Sequence, residues 1–250
     1  MDTIHVWGIK FDPLTKEQIV DRIQNWIRLG RTGIHITGVN PEQVSKVQMD
    51  NFMKNAVNDS DLVNIDGILI VQTLRLYGYK IPERAATPDI FELLLIEANK
   101  KRQSVYFLGA EDYVLKNMIK RIADEYPNIN IVGYHDGFYL SSEEDKIVKN
   151  ISDLAPTFVF LGLPSPQKEA FIMKYKHSLH AGCCYGVGGA FDVKGGKVFR
   201  APKWGRRLGL EWAFRIIQNP ANYGKRVLEF YIPFIKLFFK EFSLNKHKYM

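Results

Sequence analysis

Short runs of β-branched and aromatic residues alternate with helix-type patterns along most of this chain. The runs occupy residues 3–9, 33–37, 61–65, 104–109, 128–133, 157–162 and 181–187, and helical segments separate most of them. Such a βαβα order is typical of a mainly parallel sheet that is covered on both faces. The sequence therefore predicts an α/β fold with a Rossmann-like sheet.

Three predicted helix starts share a polar pattern, and those at Asn40 and Ser165 follow directly on predicted strands. Asn40-Pro41-Glu42-Gln43 supplies an N-cap, a proline at the first helical position and a glutamine for a capping box. Thr87-Pro88-Asp89 and Ser165-Pro166-Gln167 repeat the cap-proline pattern. Helix starts at the carboxyl edge of a parallel sheet present free N–H groups to a ligand crevice, which suits phosphates. Ordinary capping accounts for any one of them alone.

Asp66 interrupts the apolar run "DLVNIDGILIV" (61–71). A carboxylate is costly to bury unless a partner or a function holds it at an edge. Asp66 is either the N-cap of the following helix or a general base that faces the crevice. Local sequence leaves both interpretations open.

Other chemical signals are weak. The glycine-rich stretch 185–196 lacks the dinucleotide fingerprint, because Phe191 stands where the third glycine is required. Asp59-Ser60-Asp61 is a D-x-D, but it precedes a strand and is predicted to be a solvated turn at the amino edge. Cys183 and Cys184 are adjacent, which is typical of strand residues. We therefore predict no metal and no cofactor.

The excess positive charge lies in the last fifth of the chain. Residues 201–250 hold six Lys, four Arg and three Glu, whereas residues 1–200 are balanced. We therefore predict a core at 1–200 and a basic appendage at 201–250 that meets a membrane surface or nucleic acid. Within 225–242, one helical stripe is apolar: Leu228, Ile232, Ile235, Phe239 and Phe242. This indicates an interfacial amphipathic helix with a kink at Pro233, or else a terminal helix packed on its own domain.

The ends and hydropathy of the chain bear on location. No apolar run reaches the roughly 18 residues of a membrane-spanning helix. The N-terminus has an acidic residue at position 2 and no basic region before an apolar stretch. The expected location is cytoplasmic.

Five blocks together resemble the WecG/TagA/CpsF glycosyltransferase family over nearly the whole chain. They are "GVNPEQV" (38–44), "NIDGILIV" (64–71), "IPERAATPDIF" (81–91), "FLGLPSPQKEAFI" (160–172) and residues 186–220. The resemblance implies a metal-independent, inverting hexosyltransferase. It would move an N-acetylmannosamine-type or related sugar from a UDP-sugar to a polyprenyl-pyrophosphate-linked sugar. It would do so at the inner face of the cell membrane, in synthesis of teichoic acid, capsule or exopolysaccharide.

The resemblance also implies roles for particular residues. Asp66 matches the proposed catalytic base. The residues implied at the donor and its diphosphate are Asn40, Arg84, Gln167, Gly188, Gly189, Asp192, Arg207 and Arg215. Those expected at an anionic membrane surface are Lys225, Arg226, Lys236, Phe239 and Lys240. Gly38 stands where the family pattern has a threonine.

Two other classes of function compete with this interpretation. One is a nucleic-acid-binding protein with a basic tail, although no recognised nucleic-acid motif is present and the tail is rich in Phe and Ile. The other is a different nucleotide-sugar enzyme, such as an epimerase with bound NAD. The sequence does not identify the two sugars, and a homo-oligomer is left open.

Overall fold

The structure is a computed structural model that describes residues 2–202, 205 and 211–244, without the side chains of Arg215, Asn222, Tyr223 and Leu244. The strands are β1 (Ile4–Val6), β2 (Ile9–Phe11), β3 (Ile34–Val39), β4 (Leu62–Ile65), β5 (Ser104–Gly109), β6 (Asn130–His135), β7 (Phe158–Gly162) and β8 (Cys183–Gly186). The helices are α1 (Lys16–Arg28), α2 (Pro41–Met49), α3 (Asn51–Asn58), α4 (Ile68–Leu76), α5 (Thr87–Lys101), α6 (Asp112–Glu125), α7 (Glu144–Leu154), α8 (Gln167–Tyr175), α9 (Ala190–Lys194), α10 (Glu211–Gln218), α11 (Pro220–Arg226) and α12 (Ile232–Leu244).

Six strands form one parallel sheet in the order β4-β3-β8-β7-β5-β6. After β4 the chain crosses to β5 near the opposite edge, and it later returns to fill the centre with β7 and β8. The predicted parallel α/β fold is confirmed. Because the carboxyl ends of all six strands lie at one edge, the loops that follow them share a single face, where folds of this type bind ligands.

The first apolar run does not join this sheet. It forms the antiparallel hairpin β1–β2, in which Trp7 and Gly8 make the turn with positive φ values of 55° and 71°. The turn divides the run into two short strands, and neither is long enough to form a strand of the six-stranded sheet. The run predicted at 128–133 forms its strand two residues later, at Asn130–His135.

Two of the three predicted caps differ in detail. Asn40 caps α2 through a capping box with Gln43, as predicted. The N-cap of α5 is Ala86, and that of α8 is Pro166, and neither position has a side-chain cap. Other partners meet the first N–H groups instead: Thr87 N–H donates to Asp66 Oδ1 at 3.2 Å, and Lys168 N–H donates to Pro164 O at 3.1 Å.

The apolar core lies on both faces of the sheet. One cluster joins α1, α5 and α6 to the inner side of β3, β5 and β7, and a second packs α7 and α8 on the other face. A third cluster joins the β1–β2 hairpin to α2, α3 and α4 and continues into α12 through Phe234, which is buried. Among the described residues, none of the helices is long and apolar enough to cross a bilayer.

Candidate active site

A cleft of about 980 Å³ opens at the carboxyl edge of the sheet. This volume is within the range of small-molecule sites. The loops that follow β3, β4, β7 and β8 form its floor, and residues of α10 and α11 close one side. All the core residues predicted for the site line this cleft: Asn40, Asp66, Arg84, Gln167, Gly188, Gly189 and Asp192.

Asp66 lies at the carboxyl end of β4 and is not the cap of α4. Gly67 occupies the N-cap position there and makes no side-chain cap. The Asp66 Oδ1 atom accepts the backbone N–H of Thr87 at 3.2 Å and lies 3.5 Å from Arg84 Nη2. Both contacts fall on Oδ1, so Oδ2 has no donor within the described part of the chain and is free to accept a proton.

Arg84 joins two carboxylates. Its Nε donates to the backbone oxygen of Asp66, and its Nη2 lies 2.9 Å from Glu211 Oε2. Burial alone would lower the pKa of Arg84, but the charges of Asp66 and Glu211 outweigh burial and raise that pKa above its ordinary value. A permanent cation therefore lies beside the carboxylate of Asp66.

The start of α2 combines capping with a place at the cleft. Asn40 Oδ1 accepts the N–H groups of Glu42 at 2.8 Å and of Gln43 at 3.4 Å. Its side-chain oxygen is therefore used by the helix, and its amide nitrogen is the atom left for a ligand. The predicted cap and the predicted place at the site are compatible.

A threonine cannot stand at position 38 in this structure. A Cβ added at Gly38 would overlap Thr87 Oγ1 and lie 3.0 Å from Asn64 Nδ2. Thr87 lines the cleft and is nearly buried. The hydroxyl of Thr87, at the start of α5, occupies the space that a side chain at position 38 would need. Sequence reasoning missed Thr87, although its cap-proline pattern marked the position.

The first turn of α8 places a second cation in the cleft. Gln167 is exposed there, and the neighbouring Lys168 is buried in an ion pair with Glu169. A Cβ at Gly186 would lie 3.0 Å from Lys168 Cδ, so the lysine side chain passes close to this glycine. Lys168 was also missed, although it follows Gln167 at the same edge.

The glycine-rich stretch lies where β8 meets the cleft. Gly188 has a positive φ of 50°, which favours glycine, and Gly189 is the N-cap of the short helix α9. Asp192 follows on α9 and lines the cleft. The D-x-D lies away from this site, as predicted, with Asp59 paired to Lys176 and Asp61 paired to Arg31.

The predicted residues of the appendage are divided between the cleft and the outer surface. Arg207 and the side chain of Arg215 lie outside the described residues. Arg226, expected at lipid, pairs with Glu42 of α2 and lines the cleft. The remaining predicted membrane residues are exposed: Lys225, Lys236, Phe239 and Lys240.

Helix α12 has two apolar faces. Phe234 lies 5.4 Å from the Trp7 ring, and Phe238 and Phe242 stack near Tyr77. Beside this packed face, four of the five predicted stripe residues are exposed: Leu228 in the preceding turn, and Ile232, Ile235 and Phe239 on α12. The fifth, Phe242, packs on the core instead. A π-helical turn at Val227–Tyr231 precedes Pro233, whose ring and missing N–H exclude a regular helical bond there.

Exposed apolar side chains also occur on the far side of the cleft. Phe138 and Leu140 follow the edge strand β6, line the cleft, and are 76% and 70% exposed. The appendage packs near β3 and β4, on the side of the sheet away from β6. On that side Val227 and Tyr231 line the cleft, so apolar or aromatic residues occur on both of its sides. The sequence analysis missed the Phe138–Leu140 pair, because two apolar residues in a loop carry no chemical signal.

Comparison with known proteins agrees with this geometry. A sequence model of the Glycosyl transferase WecG/TagA/CpsF family matches residues 4–248. The chain is 35% identical over 227 residues to an N-acetylglucosaminyldiphosphoundecaprenol N-acetyl-beta-D-mannosaminyltransferase of Bacillus subtilis (strain 168), covering 91% of this chain and 87% of that protein. It is 26% identical over 223 residues to the enzyme of the same name from Staphylococcus aureus (strain MW2), covering 89% and 87%. This chain belongs to the WecG/TagA/CpsF family of glycosyltransferases.

Proposed function

We propose that this glycosyltransferase moves an N-acetylmannosamine-type sugar from a UDP-sugar to N-acetylglucosamine carried on a polyprenyl diphosphate. The product would enter cell-surface polysaccharide such as teichoic acid. The observation that carries the proposal is the position of Asp66 in the cleft, with one free carboxylate oxygen beside a permanently charged arginine. The names of the relatives support the choice of sugar and acceptor.

Asp66 acts as the general base in this proposal. Its Oδ2 takes the proton of the acceptor hydroxyl as that oxygen attacks the anomeric carbon of the donor. Attack occurs once, from the face opposite the leaving UDP, so one carboxylate is sufficient and the anomeric configuration inverts. The N–H of Thr87 holds Oδ1 at 3.2 Å and so fixes the direction of Oδ2.

Side-chain cations and helix starts stabilise the leaving diphosphate without a metal. Arg84 and Lys168 both line the cleft, and α2, α5 and α8 begin there. Charge on the diphosphate grows in the transition state, where a fixed guanidinium and the positive ends of helix dipoles are most effective. Asn40 and Gln167 contact the donor in this arrangement. Gly188, Gly189 and Asp192 lie on its nucleotide side.

We further propose that the protein is peripheral on the inner face of the cell membrane, with the mouth of the cleft towards the lipid. The outer stripe of α12 and the Phe138–Leu140 rim would contact the interface from both sides. Lys225, Lys236 and Lys240 are exposed and would meet anionic headgroups, each worth about 1 kcal/mol near the surface. A lipid-linked acceptor could then reach Asp66 without leaving the bilayer.

The test is UDP release from a panel of UDP-sugars, including UDP-N-acetylmannosamine, with a synthetic lipid-diphosphate acceptor. Asp66→Asn should retain donor binding and lose about 10²–10⁴ in rate, the usual contribution of a general base. Asp59→Asn is the matched control, since it removes a carboxylate at the opposite edge of the sheet. Retention of more than about a tenth of the rate by Asp66→Asn would exclude Asp66 as the base.

A further inference from the structure

Arg84 has a carboxylate partner that comes from the C-terminal segment. Its Nη2 lies 2.9 Å from Glu211 Oε2 and 3.5 Å from Asp66 Oδ1, so the two carboxylates share one guanidinium. Glu211 is the first residue of α10 and is only 8% exposed. The start of a helix also favours a negative charge, so this position stabilises the carboxylate in two ways.

A second ion pair fixes the same carboxylate. Arg200 Nη1 lies 2.7 Å from Asp89 in the first turn of α5, and its Nε lies 3.7 Å from Glu211 Oε1. Glu211 is therefore held between the core and the segment that leads to α10. Trp212, the next residue, lines the cleft and is 40% exposed.

A bound donor would bring a diphosphate to this place. With Glu211 still present, one guanidinium would face the carboxylates of Asp66 and Glu211 together with the diphosphate charge. Like charges repel one another strongly in a partly buried site. Arg84 therefore cannot pair equally well with both carboxylates and the diphosphate. Asp66 is fixed by β4 and by the N–H of Thr87, whereas Glu211 belongs to a peripheral helix.

From this geometry we infer that Glu211 is an internal anion that occupies Arg84 in the donor-free protein and is displaced by the donor diphosphate. This inference rests on the proposed function. Glu211 sets donor affinity in this scheme, because each binding event must first separate its carboxylate from Arg84. Displacement also releases the start of α10 and moves Trp212, so donor binding changes the wall of the cleft.

The sign of one measurement tests this inference. Calorimetry with UDP should show about tenfold tighter binding to Glu211→Gln than to the unmodified protein, equal to about 1.4 kcal/mol. The matched control is Glu111→Gln, which neutralises another cleft carboxylate, paired with Lys197 at 2.8 Å, and should change the dissociation constant by less than about twofold. Weaker binding to Glu211→Gln would mean that Glu211 positions Arg84 for the donor and would overturn the inference. Equal gains in UDP affinity for Glu211→Gln and Glu111→Gln would also overturn the inference.

A second readout keeps the test independent of one variant. UDP should change the emission of Trp212 in the unmodified protein, with Trp212→Phe as the check of assignment, and should change it much less in Glu211→Gln. If Glu211→Gln does not fold, Glu211→Asp can replace it. The side chain is then one methylene shorter, which moves the carboxylate away from Arg84, and the gain in UDP affinity should be intermediate. No gain there overturns the inference. Absence of UDP binding to the unmodified protein would instead contradict the proposed function.

Discussion

Replacing Gly38 by alanine tests the packing that separates β3 from the start of α5. The added Cβ would overlap Thr87 Oγ1 and lie 3.0 Å from Asn64 Nδ2. Neither neighbour can withdraw easily, because Thr87 is 6% exposed and Asn64 Nδ2 donates to Ala85 O at 2.7 Å. Overpacking of this kind costs about 1–3 kcal/mol, and we expect the upper half of that range.

Removal of the hydroxyl should relieve most of this cost. Thr87→Ala deletes Oγ1 and its 3.5 Å contact with Asn64 Nδ2, a loss of about 1 kcal/mol. In the double variant the new Cβ at position 38 enters the vacated space. The two changes should therefore couple favourably by about 1–2 kcal/mol, well above the roughly 0.5 kcal/mol scatter of independent sites.

Urea unfolding at 25 °C, followed by circular dichroism, measures all four proteins of this cycle. Gly224→Ala is the control, since an added Cβ there meets no atom of the described residues within 4 Å, and helix propensity should stabilise it slightly. Strict additivity of Gly38→Ala and Thr87→Ala would refute the argument that the hydroxyl of Thr87 excludes a side chain at position 38.

Three further outcomes follow from the structure. Burial, followed by the charge of Lys176, lowers the pKa of His35 from 6.5 to about 3. The unfolded chain therefore binds a proton that the folded chain does not, and unfolding free energy should fall by about 2 kcal/mol from pH 7 to pH 5. Urea unfolding at both values checks this, and the same fall in His35→Gln would contradict it. Serine at both Phe138 and Leu140 should weaken co-sedimentation with anionic vesicles by roughly tenfold, because apolar area is lost from the rim. Leu29→Ser, exposed to a similar degree at the other edge of the sheet, should leave vesicle binding unchanged, and equal losses would exclude the rim. Transfer should survive excess EDTA, since Arg84 and Lys168 supply the cations; a loss that magnesium restores would show that they are insufficient.

The position of the cleft could be predicted because its signals are local. Asn40 and Asp66 each follow a strand that its own residues define, and the parallel order places both at one edge of the sheet. Local sequence did not determine the role of Asp66. Whether it caps α4 depends on the backbone at Gly67, and whether it faces a ligand depends on Arg84 and Thr87, which come from later segments.

For the C-terminal appendage, the sequence predicted one apolar face of the last helix but not the other. The stripe through Leu228, Ile232 and Phe239 was readable from helical spacing, and it is exposed as an interfacial face should be. The packed face with Phe234 and Phe238 was not recognised, because its partners Trp7 and Tyr77 are distant in sequence. Packing of this helix on its own domain is confirmed for Phe234 and Phe238, and contact of the exposed stripe with a membrane stays a prediction.

The sequence by itself determined the parallel α/β order, the edge that carries the cleft and the basic, amphipathic character of the C-terminal segment. These features depend on hydrophobic periodicity and on polar residues that follow strands, which a single segment contains in full. Only the tertiary structure decided that Thr87 fills the space above Gly38 and that Glu211 binds Arg84 across 127 positions of the chain. Such contacts depend on which distant surfaces meet, and the residue pattern of one segment does not specify its partner.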